Sequence, residues 1–563
     1  MTAIKGKRSI LIDAIHEAGG KLEFSGTFYF TEEANPYVPS EWAFRRIAGG
    51  KEDDFPVKAL YEVSETVKSG HRKLPAKGVR FACGVPVEPG RENRIRLVQR
   101  GEKFAWHAVL HGWFSPLTNQ LRFCYCREGG WILTFSKEDL LLRPETRGRV
   151  FACEALLWAN LLKKLSPAAL KAIFLRAVYA VCAPRKKRPL WLFADRVNKA
   201  DDNARALFEY VCSLPRTPGS PRFVFTFSGS DEERRELEKT GEVHPILGWR
   251  YKVDFVLADF LISAYRTQAQ RMPFSRKVIE YAKDLVNRPK FVFLRHGISI
   301  GDMSNSVGRA QVNARILLSG APRECASILS GNYGYTEREV KLCGLPRYDR
   351  LYHDERRCVT FMPTWRNYLV TRKGAYVHKV TDAFADSPFF RVYRELFSDR
   401  ELKELCEKTG YKLQLMMHPN MLDSLEALEI GPHVRVLPLE MRYRDIFAQS
   451  DVLVTDYSSV AFDFAYLKKP ILYFQFDKDE FFSEHCDKGY FDYDRDAFGD
   501  VETDLRGLVA RLRGYLEGDC RMKPEYVKRV DDFFAFTDKN NCKRIYEAIL
   551  EAAREDLPAD SAG

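Results

Sequence analysis

Residues 451–460 read Asp-Val-Leu-Val-Thr-Asp-Tyr-Ser-Ser-Val, and this stretch decides the fold class. A short apolar strand is predicted to end at Thr455, and a helix is predicted to begin at Val460. A strand–turn–helix unit of this kind is typical of parallel sheets covered by helices. The turn places backbone N–H groups and the hydroxyls of Ser458 and Ser459 at the carboxyl end of a strand, where open α/β sheets bind anions such as a diphosphate. An ordinary helix N-cap is the alternative interpretation.

Short apolar runs alternate with helical stretches on both sides of this unit. They form two series of predicted strands, at 190–193, 223–227, 255–257 and 291–294, and at 359–363, 412–417, 434–437, 452–455 and 471–474. Two such series predict two Rossmann-like domains with parallel sheets, joined near residues 346–357.

Residues 1–150 show a different pattern, in which short alternating runs are separated by Gly, Pro and Asn. The predicted strands lie at 22–30, 94–98, 104–110, 120–126 and 131–135. Several short strands with turns between them favour a small sandwich or barrel. The predicted fold class is therefore α/β, a GT-B-like pair of Rossmann-like domains with parallel sheets, preceded by a β-rich N-terminal domain.

The chain of 563 residues is long enough for two or three domains. We predict five parts: a β-rich accessory domain at 1–150, a helical connector with a basic run at 151–188, an N-terminal Rossmann-like (acceptor) domain at 189–355, a C-terminal Rossmann-like (donor) domain at 356–545, and a helical end with a polar tail at 546–563.

Composition excludes some classes of protein. The net charge of +11 is a mild bias over this length, too weak to indicate a nucleic-acid partner. The 13 cysteines are scattered without a C-x-x-C pair, which favours reduced thiols over a disulfide framework or a zinc site. A cytoplasmic protein is therefore expected.

The connector contains an apolar helix predicted at 167–183, which begins after Ser166 as N-cap and is followed by the basic run 185–188. The helix carries Lys171 and Arg176 and is shorter than the roughly 20 apolar residues that span a bilayer, so a transmembrane span is not expected. A connector helix packed on a domain is one interpretation. A peripheral element on the inner face of the membrane is the other, because a basic cluster beside an apolar helix suits anionic lipid.

Three further residues lie at predicted strand ends. His296 and His418 each follow a strand, one in each series, so facing domains would bring both over one cleft. Imidazole titrates near neutral pH and suits proton removal from a hydroxyl. Arg366 follows the first strand of the second series, where a guanidinium can pair with phosphate oxygens. Structural histidines and a surface arginine are the alternative interpretations.

Seven ordered motifs between residues 189 and 545 resemble the CDP-glycerol glycerophosphotransferase family, the teichoic-acid primases and polymerases. The motifs are Asp195-Arg196 with Asp202–Arg205, His296-Gly297, Gly344–Asp349, Met362–Arg366, His418–Asn420, Tyr443–Phe447 and Asp456–Tyr466.

The resemblance implies a GT-B fold and the transfer of glycerol phosphate from CDP-glycerol to a lipid-linked or glycan acceptor, with release of CMP. It implies that His296 is the base for the acceptor hydroxyl and that His418 assists at the phosphoryl centre. It also implies donor binding by Arg366, Thr364, Thr455, Asp456, Ser458, Ser459 and Asn420. Better-known members read His-Gly-Thr-Pro-Leu where this chain reads His-Gly-Ile-Ser-Ile at 296–300, in a loop that is expected to border the path of the acceptor.

Neither a metal nor a cofactor is expected. Asp-Lys-Asp at 477–479 and Asp-Tyr-Asp at 492–494 resemble a metal-binding Asp-x-Asp, but both are predicted to lie in exposed acidic segments. Arginines and helix N-termini can neutralise phosphate without a metal. Two alternatives stay open: a GT-B enzyme that uses CDP-ribitol or a nucleotide sugar, and a non-catalytic polymer-binding module.

Overall fold

The structure is a computed structural model that begins with a β-sandwich, continues through a helical hairpin and ends in two parallel sheets. It describes residues 8–30, 41–69, 72–99, 102–104, 110–111, 115, 117, 121, 123–135, 139–246, 248–266, 272–372, 378–381, 384–422, 425, 428, 430–484 and 489–555.

The N-terminal region is the predicted β-rich domain. Its strands are β1 (Arg8–Ala18), β2 (Lys21–Phe30), β3 (Trp42–Ala48), β4 (Lys51–Pro56), β5 (Lys58–Ser69), β6 (Arg72–Pro86), β7 (Asn93–Gln99), β8 (Glu102–Phe104), β9 (Leu110–His111), β10 (Tyr125–Glu128), β11 (Trp131–Phe135) and β12 (Leu140–Pro144). They form two sheets, in the orders β5-β6-β2-β1-β9 and β10-β11-β12-β7-β3-β4, with β8 paired to β7. Phe24 and Phe44 stack across the two sheets at 4.5 Å between ring centroids. The runs predicted at 104–110 and 120–126 lie partly outside the described residues.

A helical hairpin follows, formed by α1 (Arg147–Lys164) and α2 (Pro167–Cys182). Ser166 caps α2 as predicted, since its hydroxyl accepts a hydrogen bond from the Ala169 N–H at 3.2 Å. Arg176 is buried and forms ion pairs with Glu154 at 2.6 Å and Asp284 at 2.9 Å. These ion pairs fasten α2 to α1 and to the next domain.

One helix in the described part of the chain, at 167–185, is long and apolar enough to cross a membrane, and 22% of its apolar stretch is buried. A single helix of this kind is weak evidence for a span. The ion pairs of Arg176 favour a helix that lies on the protein, because they hold a charge at its middle against two carboxylates.

The first parallel sheet contains β13 (Leu190–Ala194), β14 (Arg222–Thr226), β15 (Glu242–His244), β16 (Phe260–Ser263), β17 (Lys290–Phe293), β18 (Ile316–Ser319) and β19 (Val340–Leu342), in the order β15-β14-β13-β16-β17-β18-β19. Its helices are α3 (Asn203–Ser213), α4 (Asp231–Thr240), α5 (Trp249–Leu257), α6 (Arg276–Tyr281), α7 (Lys283–Val286), α8 (Ser304–Val307), α9 (Arg309–Val312) and α10 (Pro322–Ser330). We call this sheet and these helices the first lobe.

One predicted strand of the first lobe is wrong. Residues 255–257 end α5, and the strand is β16, which begins three residues later. Tyr251 and Phe255 are both buried and lie four positions apart, so the apolar residues of this stretch repeat with the period of a helix.

The second parallel sheet contains β20 (Cys358–Met362), β23 (Lys412–Leu415), β24 (Val434–Val436), β25 (Ser450–Thr455), β26 (Ile471–Phe474) and β27 (Asp500–Glu502), in the order β24-β23-β20-β25-β26-β27, beside a hairpin of β21 (Val370–Arg372) and β22 (His378–Val380). Its helices are α11 (Pro388–Ser398), α12 (Arg400–Thr409), α13 (Tyr443–Gln449), α14 (Val460–Tyr466), α15 (Lys478–Glu484), α16 (Tyr493–Asp496), α17 (Leu505–Leu516) and α18 (Pro524–Phe533). We call this sheet and these helices the second lobe.

The last helix, α19 (Asn541–Glu555), returns to the first lobe and packs on α3. Its first residue donates two hydrogen bonds to Asp349 Oδ1, at 3.0 Å from the backbone N–H and 2.8 Å from the side-chain amide. Gly344 has a φ of +78°, and a Cβ there would lie 2.0 Å from the Asn541 side chain, so this position requires glycine. Because α19 follows the second lobe in the sequence and packs on the first lobe, it links the two lobes a second time.

Candidate active site

The carboxyl edges of the two parallel sheets face one cleft of about 230 Å³. The first lobe lines it with residues that follow β13, β16 and β17, among them Arg196, Tyr265 and His296. The second lobe lines it with residues that follow β23 and β25, among them His418 and Ser458. Parallel strands end at the same edge of a sheet, so each lobe presents its strand-end residues to the cleft.

His296 lies in the turn after β17, and its side chain is exposed to the cleft. Its ring stacks on Tyr265, with 5.8 Å between ring centroids and 10° between ring planes. The Tyr265 hydroxyl donates to Asp202 Oδ2 at 3.0 Å and accepts a hydrogen bond from Arg196 Nε at 2.8 Å. One face of the imidazole is therefore backed by a ring that is itself held by two hydrogen bonds.

The surroundings of His296 favour its neutral form. Protein encloses much of the ring, although one side opens to solvent. This desolvation lowers the pKa of the imidazole, and the positive charges of Arg347, Arg295 and Arg196 lower it further. The carboxylate of Asp202 acts in the opposite direction. A neutral imidazole can accept a proton, so the ring is in the form that a general base requires.

Arg347, in the 3₁₀ turn Pro346–Arg350, connects the two lobes. It donates to Asp202 Oδ1 at 2.8 Å and to the main-chain carbonyl of His296. Its Nε and Nη2 donate to the carboxylate of Asp463 in α14 at 2.5 and 2.8 Å. Burial opposes its charge, but Asp463 and Asp202 hold the pKa of the guanidinium well above its ordinary value. A permanent charge thus holds the His296 turn against α14.

His418 follows β23 and is partly exposed to the cleft. Its Nδ1 accepts a hydrogen bond from the main-chain N–H of Asn420 at 3.2 Å. In the neutral ring the proton therefore lies on Nε2, which can donate to an oxygen. The ring stacks on Trp365 at 5.8 Å between centroids, with 20° between planes.

Ser458 and Ser459 lie in the turn before α14 and are partly exposed to the cleft. The Ser458 hydroxyl accepts a hydrogen bond from the Val460 N–H at 3.4 Å. A Cβ on Gly297 would lie 3.4 Å from Ser459 Oγ, so the serine turn and the His296 turn are neighbours. Two hydroxyls that can donate to an anion therefore lie beside the proposed base.

Arg366 does not reach the cleft, because its side chain is fully buried. Nε and Nη2 donate to the two oxygens of Asp477 at 2.8 and 3.0 Å, and Nη2 lies 2.9 Å from Asp456 Oδ2. The guanidinium also lies within 5.3 Å of the ring centroids of Phe389, Tyr457 and Phe481. The predicted contact between Arg366 and a diphosphate does not fit this burial.

Asp456 and Thr455 are likewise buried and bonded within the protein. Asp456 accepts hydrogen bonds from the Thr364 N–H at 2.9 Å, the Thr364 hydroxyl at 2.5 Å and the Tyr457 N–H at 2.6 Å. Thr455 donates to the carbonyl of Met362 at 2.7 Å. These residues join the loop after β20 to the turn after β25.

Arg196, Tyr265 and Arg347 contribute to the cleft although the sequence gives them no assigned role. Arg196 and Arg347 lie in two of the motifs that resemble the family, Asp195-Arg196 and Gly344–Asp349. Tyr265 lies two residues after the end of β16, and the strand-end rule finds it once that strand is placed at 260–263 instead of 255–257.

Within the described ranges, no group of three or more His, Cys, Asp or Glu side chains could hold a metal ion. Asp477, expected to be exposed, is instead buried against Arg366. Asp494, in the second acidic segment, pairs with Lys478 at 2.7 Å.

Comparison with known proteins agrees with the resemblance seen in the motifs. A family model described as CDP-Glycerol:Poly(glycerophosphate) glycerophosphotransferase matches residues 175–551. The minor teichoic acid biosynthesis protein GgaB of Bacillus subtilis (strain 168) is 34% identical over 447 residues, 78% of this chain and 49% of that protein. The teichoic acid poly(glycerol phosphate) polymerase of Staphylococcus epidermidis is 27% identical over 237 residues, 38% of this chain and 29% of that protein.

The chain thus spans about half the length of the first relative and less than a third of the second. The solved structure of the wall teichoic acid polymerase TagF is 18% identical, with a TM-score of 0.49, over 74% of this chain and 100% of that chain. The family model covers both parallel-sheet lobes and the cleft between them. The chain therefore belongs to the CDP-glycerol:poly(glycerophosphate) glycerophosphotransferase family.

Proposed function

We propose that this protein transfers glycerol phosphate, or a related alditol phosphate, from a CDP-activated donor to a hydroxyl of a lipid-linked or glycan acceptor in the synthesis of a teichoic-acid-like or capsule polymer. The observation that carries the proposal is the placement of His296 and His418, from different sheets, in one cleft of a chain in this family. The proposed donor is a CDP-alditol from the cytoplasm, and the proposed reaction needs no metal ion.

The proposed reaction is a displacement at the phosphorus that bears the alditol. The neutral imidazole of His296 takes the proton of the acceptor hydroxyl, whose oxygen attacks that phosphorus. The bond from phosphorus to the bridging oxygen breaks, and its electron pair leaves with CMP. His418 Nε2–H, the hydroxyls of Ser458 and Ser459, and the charge of Arg196 support the phosphoryl oxygens and the leaving group.

A direct assay tests this proposal. The purified protein is incubated with labelled CDP-glycerol and a membrane or glycan acceptor, with CDP-ribitol and UDP-sugars in parallel reactions. We expect acceptor-dependent release of CMP from CDP-glycerol. Turnover of a UDP-sugar with none of CDP-glycerol would favour an ordinary glycosyltransferase, and no turnover of any donor would favour a binding module.

The pH dependence of that activity tests the role of His296. Activity should be lost as pH falls through the pKa of the imidazole, because a protonated ring cannot accept a proton. Since the pKa of His296 is lowered, this loss should occur at a lower pH than for an ordinary histidine. Arg196→Gln removes a positive charge that lowers the pKa of His296, so the acidic limb of this variant's pH profile should move to higher pH. Asp202→Asn should move the limb to lower pH. The pH profiles of kcat/KM measure both shifts, and shifts in the reverse order contradict the assignment.

We further propose that the helical hairpin contacts the inner face of the membrane. Phe151 and Leu162 are exposed on α1 and lie eleven residues apart, about three turns, so they share a face. Leu170, Phe174 and Val181 form a similar exposed stripe on α2. Lys163 and Lys164 follow Leu162 in the sequence, Lys171 follows Leu170, and the basic run 185–188 follows α2. An exposed apolar face with cations beside it suits anionic lipid.

Vesicle binding measures this contact. Phe151→Ser with Leu170→Ser should weaken sedimentation with phosphatidylglycerol vesicles by about tenfold, since two buried apolar side chains are lost. Leu60→Ser, at an exposed leucine of β5, is the matched control and should bind as wild type. Equal binding of all three proteins would contradict the proposed surface.

A further inference from the structure

The turn that carries His296 has an unusual backbone. Arg295 has a φ of +58°, in the left-handed region that residues with a Cβ rarely adopt. Its carbonyl accepts a hydrogen bond from the Asn203 side-chain amide at 2.7 Å. A left-handed residue persists only where its surroundings hold it, and such residues concentrate at functional sites.

The side chain of Arg295 is held on the inner side of the turn. It is buried, and its Nη1 lies 2.9 Å from Glu324 Oε1 as an ion pair. Its Nη2 donates to the Ser299 hydroxyl at 2.5 Å. The turn from Arg295 to Ser299 is therefore closed around the peptide that contains His296.

Glu324, at the start of α10, joins this turn to its neighbour. Oε1 also accepts a hydrogen bond from the Ser299 N–H at 2.8 Å. Oε2 accepts from the Gly320 N–H at 2.9 Å and from the Ser319 hydroxyl at 3.1 Å. One buried carboxylate thus fastens the turn after β17 to the turn after β18, while it lies outside the residues that line the cleft.

We propose that Glu324 is a positioning residue for His296, acting through Arg295 and Ser299. It neutralises the Arg295 guanidinium and holds the Ser299 backbone, so that the left-handed turn presents the imidazole to the cleft. This role rests on the proposed function, in which His296 is the general base. Ser299 uses both its N–H and its hydroxyl to hold this arrangement.

Kinetics of three variants test the proposal. Glu324→Gln keeps the shape of the side chain but leaves the Arg295 guanidinium without its counter-charge. It should lower kcat by about tenfold to a hundredfold, because small displacements of a reacting group have effects of this size. The KM for CDP-glycerol should stay within about twofold, since the serine turn is unchanged. Glu324→Asp, which keeps the charge, should recover part of the loss.

The matched control is Glu339→Gln in the same lobe. Glu339 is also buried, accepts hydrogen bonds from Thr336 and pairs with Arg309 at 3.5 Å. Its variant should keep the wild-type kcat. Equal losses of kcat in both variants, or an unchanged kcat in Glu324→Gln, would overturn the proposal.

A measurement that needs no transferase activity separates this inference from the proposed function. NMR of protein with ¹³C-labelled histidine follows the imidazole of residue 296, assigned with a His296→Gln variant. Glu324→Gln should shift and broaden this resonance and change its titration midpoint, whereas Glu339→Gln should not. A wild type without transfer would reject the proposed function alone. An unchanged His296 resonance in Glu324→Gln would reject the positioning role of Glu324, whether or not the protein shows transferase activity.

Discussion

The His296→Ala variant is expected to lose at least about 10³-fold in kcat, within the range that a general base contributes. Its affinity for CDP-glycerol, measured by calorimetry, should match wild type, because the substitution leaves the proposed donor contacts of Arg196, His418, Ser458 and Ser459 unchanged. The side chain is exposed to the cleft, so its removal should leave thermal stability unchanged. Acceptor-dependent release of CMP is the measurement of kcat.

His353→Ala is the control for this experiment. His353 is an exposed histidine that pairs with Glu355 at 2.7 Å and lies outside the lining of the cleft. It should behave as wild type in kcat and in donor affinity. Loss of donor affinity in His296→Ala with an intact kcat at saturating donor would assign His296 to binding and remove it as the base.

Arg366→Met is expected to lower the free energy of unfolding by about 3–5 kcal/mol, the usual cost of breaking a buried ion pair by removing one partner. The substitution leaves the carboxylates of Asp456 and Asp477 buried without their counter-charge. Because Arg366 joins the loop after β20 to Asp456 after β25 and to Asp477 after β26, the second lobe should be the part that loosens. Urea unfolding followed by tryptophan fluorescence and by circular dichroism measures the change.

Arg400→Met serves as the comparison, since Arg400 is an exposed arginine paired with Glu404 on a helix surface. Its effect on stability should be at most about 0.5 kcal/mol. If Arg366→Met unfolded like wild type and bound CDP-glycerol more weakly, the guanidinium would be a donor ligand, as the sequence alone predicts.

The parallel sheets could be predicted because their strands are short and apolar throughout. β13, for example, reads Leu-Trp-Leu-Phe-Ala, and all five residues are buried. The same short apolar pattern wrongly predicts a strand at 255–257, where three apolar residues end a helix. Periodicity over so few residues cannot separate a buried helix end from a strand.

Site residues could be predicted where their position depends on one strand alone. His296 and His418 each follow a strand, and the parallel topology brings both to the cleft. Arg366 also follows a strand, but its burial depends on Asp477, 111 residues away in the sequence. Partners at such distances leave no local pattern, so the sequence alone predicts that the charge of Arg366 is available to a ligand.

The most direct test of the proposed donor site is a crystal structure of the His296→Ala variant grown with CDP-glycerol. We expect the diphosphate within hydrogen-bonding distance of Ser458 or Ser459, and the phosphorus that bears glycerol on the side of the cleft where residue 296 lies. A nucleotide bound elsewhere, or a glycerol phosphate that points away from the first lobe, would contradict the proposed transfer between the two lobes.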